Sequence, residues 1–447
     1  METTSIKTRK NNKWVFVFAF LLIFLGFITH FIFIGRPAEV VFDEVHYGKY
    51  ANGYLKGENF FSGHPPLGIE IIALGGWLGG YHPHFSFDHI GEKLTDKSYI
   101  ALRVMPNLAG SLIPLTVYIL AMVLGFPSGL AFLVGLLLNF ENALIVQSHF
   151  ILIDPFLILF GFLGLVFFFT ARKKNYGWKY LLPMSLFLAM SFSVKWTGLS
   201  FIAIAGCIAL WDLIIFLKNK EQRILKRLIK LSLCFLALPL LVYSLTFYIN
   251  FKLLSKSGPG DAFMSEEFRS GRENFIEKFI ELNEADYNSN VKYLTATHPY
   301  SSKFYTWPFM IRPIFYWVNG DARIYLLGNP IIWWLSTLAV FLLIIYIFIK
   351  KFKDSTANIL MIGYLFNFLP FMGVTTRTTF LYHYLSSLIF SIAILVYLIG
   401  KIKYSKIIFA VLFVLAIAAF LYFAPLTYGL NMSSQQYENH VWLDSWR

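Results

Sequence analysis

The sequence predicts an all-α polytopic membrane protein with about eleven transmembrane helices, and three observations predict it. Of 447 residues, 57% are apolar and 19% aromatic but only 14% charged, against about 25% charged in a soluble domain. Apolar runs of the roughly 20 residues needed to cross a bilayer recur along the chain. The Lys and Arg that give a net charge of +13 fall in short clusters between those runs. That is a topology signal, so no nucleic-acid partner is expected and the partner implied is a lipid bilayer.

The first run covers residues 14–35. It is too long for a signal-peptide core and no small-residue cleavage site follows it, so a retained helix is expected. Further runs cover 100–124, 129–147, 152–170, 178–194, 197–217, 231–251, 331–349, 357–373, 381–400 and 406–424. Basic clusters lie at 7–13, 172–174, 218–230, 350–353 and 401–406. If eleven spans alternate, all of these clusters share one side. The inner-positive bias makes that side cytoplasmic, with the N-terminus, and puts the tail 425–447 outside. Cys207 and Cys234 sit inside apolar runs and imply no disulfide framework. No internal repeat is visible.

Two outer loops are long, 36–98 and 252–329, and long motif-rich loops on one face suggest that chemistry sits there. The first contains VVFDEVHYGKYANGYLKGENFFSGHPPLG, with Asp43 and Glu44 adjacent. Aromatics at helical spacing over 47–55 predict a short interfacial helix. His64-Pro65-Pro66 stops it, because proline disfavours helix in the residue before it. The apolar stretch 68–80, with Glu70 inside, is too short to span and predicts a second interfacial or re-entrant helix.

Asp43 and Glu44 read either as one catalytic carboxylate with a supporting neighbour or as two solvated loop acids. Adjacent residues point to different sides, so a symmetric pair is not expected. Arg103, at the outer end of the second span, is either a cation for a lipid-borne phosphate or a snorkelling end residue. The run ENALIVQSHFILID places Glu141, Asn142, Gln147, His149 and Asp154 in apolar surroundings. Such groups face a cavity or a partner at membrane depth, and Asn142 and Gln147 also suit helix–helix hydrogen bonds. Asp154 before Pro155 fits a helix N-terminus, and a cavity-lining role is favoured for it. Lys195 lies on the outer side against the basic bias, which points to a local partner such as phosphate, with snorkelling the alternative.

His298, Arg312, Arg377 and His383 fall at outer helix starts amid Trp and Tyr, where aromatic belts are expected anyway. The histidines lack metal-ligand spacing, so no structural metal is predicted. There is no GxxxxGK[ST], and no GxGxxG followed by an acid. No nucleotide site is readable, so a donor would arrive through the membrane.

At FDEVHYGKYANGYLKG, HPPLG, YIALRVMPNLAG, ENALIVQSHFILID, SVKWTGL, HPYSSKFYTWPFMIRPI and FLYHYLSSL the chain resembles the protein O-mannosyltransferase family. These are integral-membrane glycosyltransferases that use a polyprenyl- or dolichyl-phosphate sugar. The resemblance implies one GT-C-type transmembrane domain over 1–447, with the catalytic motif in loop 36–98. It implies Asp43 as catalytic base with Glu44 beside it, and Arg103 and Asp154 as parts of the site. Lys195, His64, Arg377 and His383 complete the substrate-binding candidates. Eukaryotic members carry a β-trefoil (MIR) module in the second large outer loop. Residues 252–329 are too few for one, so the resemblance is to a bacterial-type member of the plasma (inner) membrane.

The reaction so implied is inverting transfer of mannose, or another hexose, to Ser or Thr hydroxyls of translocated proteins on the outer face. Phosphate leaves readily, so no general acid is needed, whereas the acceptor hydroxyl needs one base. A single displacement inverts the anomeric centre, and a cation facing the phosphate stabilises the charge that develops. The lipid-linked sugar phosphate is the donor substrate. No other cofactor is implied, and a divalent cation shared by acid and phosphate stays open. Two alternatives stand beside this one. A transferase of the same superfamily would glycosylate lipid A or a cell-envelope glycan. A non-enzymatic transporter of lipid-linked sugar would need charges near the bilayer midplane, whereas most of these groups lie near one face.

Overall fold

The computed structural model describes residues 12–220, 222, 224–293, 298–374 and 378–447. Helix α1 (Asn12–Phe31) leads into the first long loop, which carries α2 (Glu44–Lys56) and α3 (Leu67–Leu78). Gly57 ends α2 at φ 74, a left-handed conformation that glycine adopts without steric cost. Pro65-Pro66 then presets φ for the start of α3. Six helices follow: α4 (Ile100–Val123), α5 (Ser128–Asn139), α6 (Asn142–His149), α7 (Asp154–Lys173), α8 (Trp178–Val194) and α9 (Leu199–Lys218). Next, α10 (Ile224–Ser232) continues through a π-turn into α11 (Leu238–Leu253). The second long loop holds α12 (Glu266–Arg269), α13 (Phe275–Asn288) and an antiparallel hairpin of β1 (Ile314–Asn319) and β2 (Ala322–Leu326). The chain ends in α14 (Pro330–Ile349), α15 (Ser355–Phe368), α16 (Leu385–Ile399), α17 (Ser405–Tyr428) and α18 (Ser434–His440).

Among the described residues nine helical segments are long and apolar enough to cross a membrane, ten if the bent pair α5–α6 is one span. Trp178–Val194, expected as a further span, is apolar but only 17 residues long. The protein is an integral multi-pass membrane protein. One expectation is corrected. The run 129–147 is not one rod, because its axis turns by 58° between α5 and α6. The fold is helical as expected, with a short hairpin within 252–329 among the described residues.

The break has an identifiable cause. Glu141 is extended and its buried carboxylate accepts from Ala143 N (3.0 Å) and Asn329 N (2.9 Å). Asn329 in turn donates to the carbonyls of Phe140 (3.0 Å) and Ala416 (2.8 Å). Backbone left unpaired at a helix end is costly in an apolar surrounding unless the protein satisfies it. Two polar residues of this run are structural: Asn142 donates to Thr427 Oγ1 at 2.7 Å, and His149 Nε2 pairs with the carbonyl of Phe33 at 3.0 Å.

Among the described residues, the basic clusters that end α7, α9, α14 and α16 share one end of the bundle. Arg172, ending α7, forks onto Asp212 near the end of α9 at 2.7 and 2.8 Å. Lys401, after α16, lies 3.4 Å from Asp354, before α15. At the opposite end, residues 38–42 are threaded between two partners. Val40 exchanges backbone hydrogen bonds with Glu92 and Gly91, both 2.9 Å, and Phe42 N donates to the Tyr316 carbonyl at 3.2 Å. Glu39 accepts from Trp317 Nε1 (2.8 Å) and Asn319 Nδ2 (2.6 Å). The hairpin is thereby docked beside the Asp43-Glu44 pair.

Candidate active site

Asp43 immediately precedes α2 and Glu44 opens it, so their side chains diverge as expected of neighbours at a helix start. Glu44 turns inward and is fully buried. Its Oε1 accepts from Arg103 Nε (2.8 Å) and Ile151 N (3.0 Å), and its Oε2 from Arg103 Nη2 (2.8 Å) and Val41 N (2.9 Å). The other guanidinium protons reach the carbonyls of Pro37 (3.0 Å) and Glu39 (3.1 Å). The rings of Tyr99 and Phe150 lie 4.9 and 5.1 Å from the guanidinium carbon. Both partners of the pair are 0% exposed. Arg103 therefore faces Glu44 and backbone and presents no surface to a ligand. It ties α4 to the exit from α1 and, through Glu44, to the connection between α6 and α7.

Asp43 is half-buried, and its side chain makes no capping hydrogen bond to α2. Burial pushes its carboxyl from the usual carboxylate range up to about 7, while Lys195 pulls it down and Asp154 pushes it up. Desolvation that outweighs the pull of the nearby Lys195 charge is what brings this carboxylate toward neutral pH.

Asp154 is the first residue of α7 and is buried. Its Oδ1 accepts from Lys195 Nζ (3.1 Å) and its Oδ2 from Gln147 Nε2 (3.0 Å). Lys195 sits in the tight turn after α8, with Nζ 5.2 Å from the Tyr382 ring centroid. The turn needs Gly198, because a Cβ there would stand 2.6 Å from the Ser191 backbone. Both charges are nearly buried, and such pairs persist when geometry and further hydrogen bonds compensate desolvation.

Two cavities adjoin this pair, and a third borders the second. One of about 400 Å³ runs among α7, α9, α15 and α16; it is walled largely by apolar side chains, with Asp154 and His383 on its lining. A second, of about 240 Å³, is more polar and is lined by His64, Lys195, Trp196, Asn290, Thr379 and His383, among others. A third, of about 480 Å³, lies against residues 301–305 and shares Phe371, Val374 and Thr379 with the second. Of the residues singled out in the sequence, Asp154, Lys195, His64 and His383 gather here, and Asp43 reaches the same charges from the first long loop. Arg103 does not face this space, and Arg377 lies outside the described residues. Arg312 instead binds the carbonyls of Pro299 (3.1 Å) and Ser445 (2.9 Å), and so fastens the C-terminal tail. Among the described residues no group of three or more His, Cys, Asp or Glu is placed to hold a metal ion.

Two further participants were not assigned from sequence. Tyr316 donates to Gln147 Oε1 at 2.5 Å, and Asn290 donates to the Gly63 carbonyl at 2.6 Å, bracing the turn that carries His64. Asn319-Gly320 among alternating aromatics was a readable hairpin signal, but aromatic belts explained those residues too readily.

Comparison with known proteins supplies the family. Residues 20–255 match the family model described as dolichyl-phosphate-mannose-protein mannosyltransferase. The chain belongs to that family. Residues 275–446 match the C-terminal four-helix membrane region of protein O-mannosyltransferases. Dolichyl-phosphate-mannose–protein mannosyltransferase 4 of Candida albicans is 34% identical over 281 residues, covering 60% of this chain and 37% of the relative. Protein O-mannosyl-transferase 1 of Mus musculus is 33% identical over 270 residues, covering 58% and 36%. The chain thus spans little more than a third of these relatives' length.

In fold, the chain is similar to a protein O-mannosyltransferase complex of S. cerevisiae bound to the sugar donor. The TM-score is 0.91 at 18% identity, over 97% of this chain and 93% of that one. It is more distantly similar to an Archaeoglobus fulgidus oligosaccharyltransferase, with a TM-score of 0.56 at 12% identity over 97% and 57%. These membrane glycosyltransferases share the GT-C-type architecture.

Proposed function

We propose that the protein is an inverting mannosyltransferase that moves mannose from a polyprenyl-phosphate donor to Ser or Thr hydroxyls of proteins. Asp43 is the general base. The observation that carries this reading is the contrast at 43 and 44. Glu44 is saturated by Arg103 and two backbone N–H groups, whereas Asp43 has a carboxyl near 7 beside Lys195 and Asp154. A base working at neutral pH needs that property and free lone pairs. The family supports a lipid-phosphate donor and a protein acceptor.

In the reaction the acceptor oxygen attacks the anomeric carbon and its proton passes to the Asp43 carboxylate. The bond from the anomeric carbon to the phosphate oxygen breaks, and the phosphate leaves with the electron pair. Lys195, oriented by Asp154, stabilises the charge gathering on that phosphate. The apolar cavity receives the prenyl units next to the phosphate, and the polar one, with His64 and His383, receives the sugar phosphate. Glu44 and Arg103 set the position of Asp43 without touching substrate. The active face is the one opposite the basic helix ends, which is the outer face of a bacterial plasma membrane with a cytoplasmic N-terminus.

Labelled polyprenyl-phosphate-mannose supplied to membranes holding the protein should deposit label on protein Ser and Thr, with the anomeric configuration opposite to that of the donor. Label confined to lipid or glycan would overturn the acceptor assignment. Retained configuration would overturn the single displacement.

A further inference from the structure

We infer that Tyr316 is a positioning residue for this transfer: its hydroxyl, acting through Gln147, orients the Asp154–Lys195 pair toward the donor phosphate. The inference rests on the mechanism proposed above and extends it to the hairpin of the second outer loop. Tyr316 is fully buried. In the hairpin, Phe315 pairs with Tyr325 and Trp317 with Ile324, so Tyr316 is the extra residue at an irregularity of the ladder. Such bulges re-aim a side chain. Its carbonyl accepts from Phe42 N at 3.2 Å. Its ring lies on that of Phe42, with centroids 4.1 Å apart and planes 8° apart. Its hydroxyl is 2.5 Å from Gln147 Oε1.

Donor and acceptor chemistry gives this chain of bonds one direction. Lys195 can only donate and an ionised Asp154 can only accept, so Gln147 must turn its amide nitrogen to Asp154 Oδ2, at 3.0 Å. That leaves the amide oxygen of Gln147 facing Tyr316, whose phenol supplies the proton. Gln147 is itself buried, so no solvent competes for its ends. Without the phenol proton the amide oxygen loses the donor that anchors it, and the Gln147 side chain is free to swing away from Asp154. Asp154 would then lean on Lys195 alone and draw it off the phosphate. Tyr316 also stands against the residue preceding Asp43, so one side chain contacts the supports of both the base and the cation.

A role confined to packing would make only stability depend on Tyr316, and kinetics separate the two. Tyr316→Phe keeps the ring and its stacking and removes only the donor. The charged and titratable groups acting on or feeling Asp43 are Lys195, Asp154, Tyr47, Tyr50 and Tyr316. Lys195 lowers the Asp43 carboxyl, so drawing its charge away moves the acid limb of the pH–rate profile upward. With the full chain in membranes and polyprenyl-phosphate-mannose as donor, Tyr316→Phe should lower kcat/KM by about tenfold, the scale of one buried hydrogen bond. It should also raise the acid limb. In a Lys195→Met background the same change should add little, because both act through one charge. Gln147→Leu, which cuts the chain from the other side, should repeat the pattern and stands in if Tyr316→Phe accumulates poorly. An unmoved limb in Tyr316→Phe and Gln147→Leu, or losses that add fully to that of Lys195→Met, would overturn the inference and leave the base assignment intact if Asp43→Asn is inactive. An active Asp43→Asn would instead remove the mechanism on which the inference depends.

Discussion

At the residue scale, two adjacent carboxylates occupy opposite environments. Glu44 accepts four hydrogen bonds inside the bundle, while Asp43 is left with burial as the dominant influence on its carboxyl. The sign of the pH dependence follows. A base acts when deprotonated, and a carboxyl raised to about 7 loses its proton as pH rises through that value. Transfer should therefore climb across neutrality and level off above it, measured as kcat/KM against pH. Lys195 lowers the Asp43 carboxyl, so Lys195→Met should shift that limb to higher pH as well as weaken donor turnover. An unshifted limb would disconnect the two residues. Sequence made Asp43, Asp154, Lys195, His64 and His383 visible as candidates because charged or titratable groups beside apolar runs are conspicuous. It could not show what Arg103 faces. The partner, Glu44, is 59 positions away, and a snorkelling, phosphate-binding or fully paired arginine looks the same in one dimension.

At the element scale, the Arg103–Glu44 pair is a clamp. It joins α4, the start of α2, the exit from α1 and the α6–α7 connection through hydrogen bonds to Ile151, Pro37 and Glu39. Removing one buried partner leaves the other charge uncompensated, which costs about 3–5 kcal/mol, whereas replacing both by apolar groups is often near neutral. Arg103→Met should sharply lower the thermal midpoint in detergent, and Arg103→Met with Glu44→Leu should recover much of it without restoring full transfer. Equal losses in the single and double variants would rule out the clamp. The break between α5 and α6 shows where pattern reading stops. Hydropathy treats 129–147 as continuous, yet Glu141 and Asn329 make a 58° turn affordable. The mark was present as Asn139, Glu141 and Asn142 in an apolar run. What was missing was Asn329, which arrives from a distant loop. The hairpin escaped for a related reason, since its strands are aromatic and aromatics are common at either membrane interface.

At the scale of the whole molecule, composition and charge spacing carried most of the architecture. The clusters that end α7, α9, α14 and α16 meet at one end, joined by Arg172–Asp212 and Lys401–Asp354, while the site lies at the other. Single cysteines introduced at Lys174 or Lys353, with Cys207 and Cys234 replaced by Ala, should react with an impermeant thiol reagent from the face opposite to cysteines at His82 or Arg272. Labelling of both sets from one face would refute the orientation. The central claim is that Asp43 takes the acceptor proton while its neighbours position and charge the site. The most direct test is the single-turnover rate of Asp43→Asn with bound polyprenyl-phosphate-mannose, alongside donor affinity measured separately. The account predicts a fall of about 10²-fold or more with donor affinity close to that of the unmodified protein. A near-normal rate would contradict it.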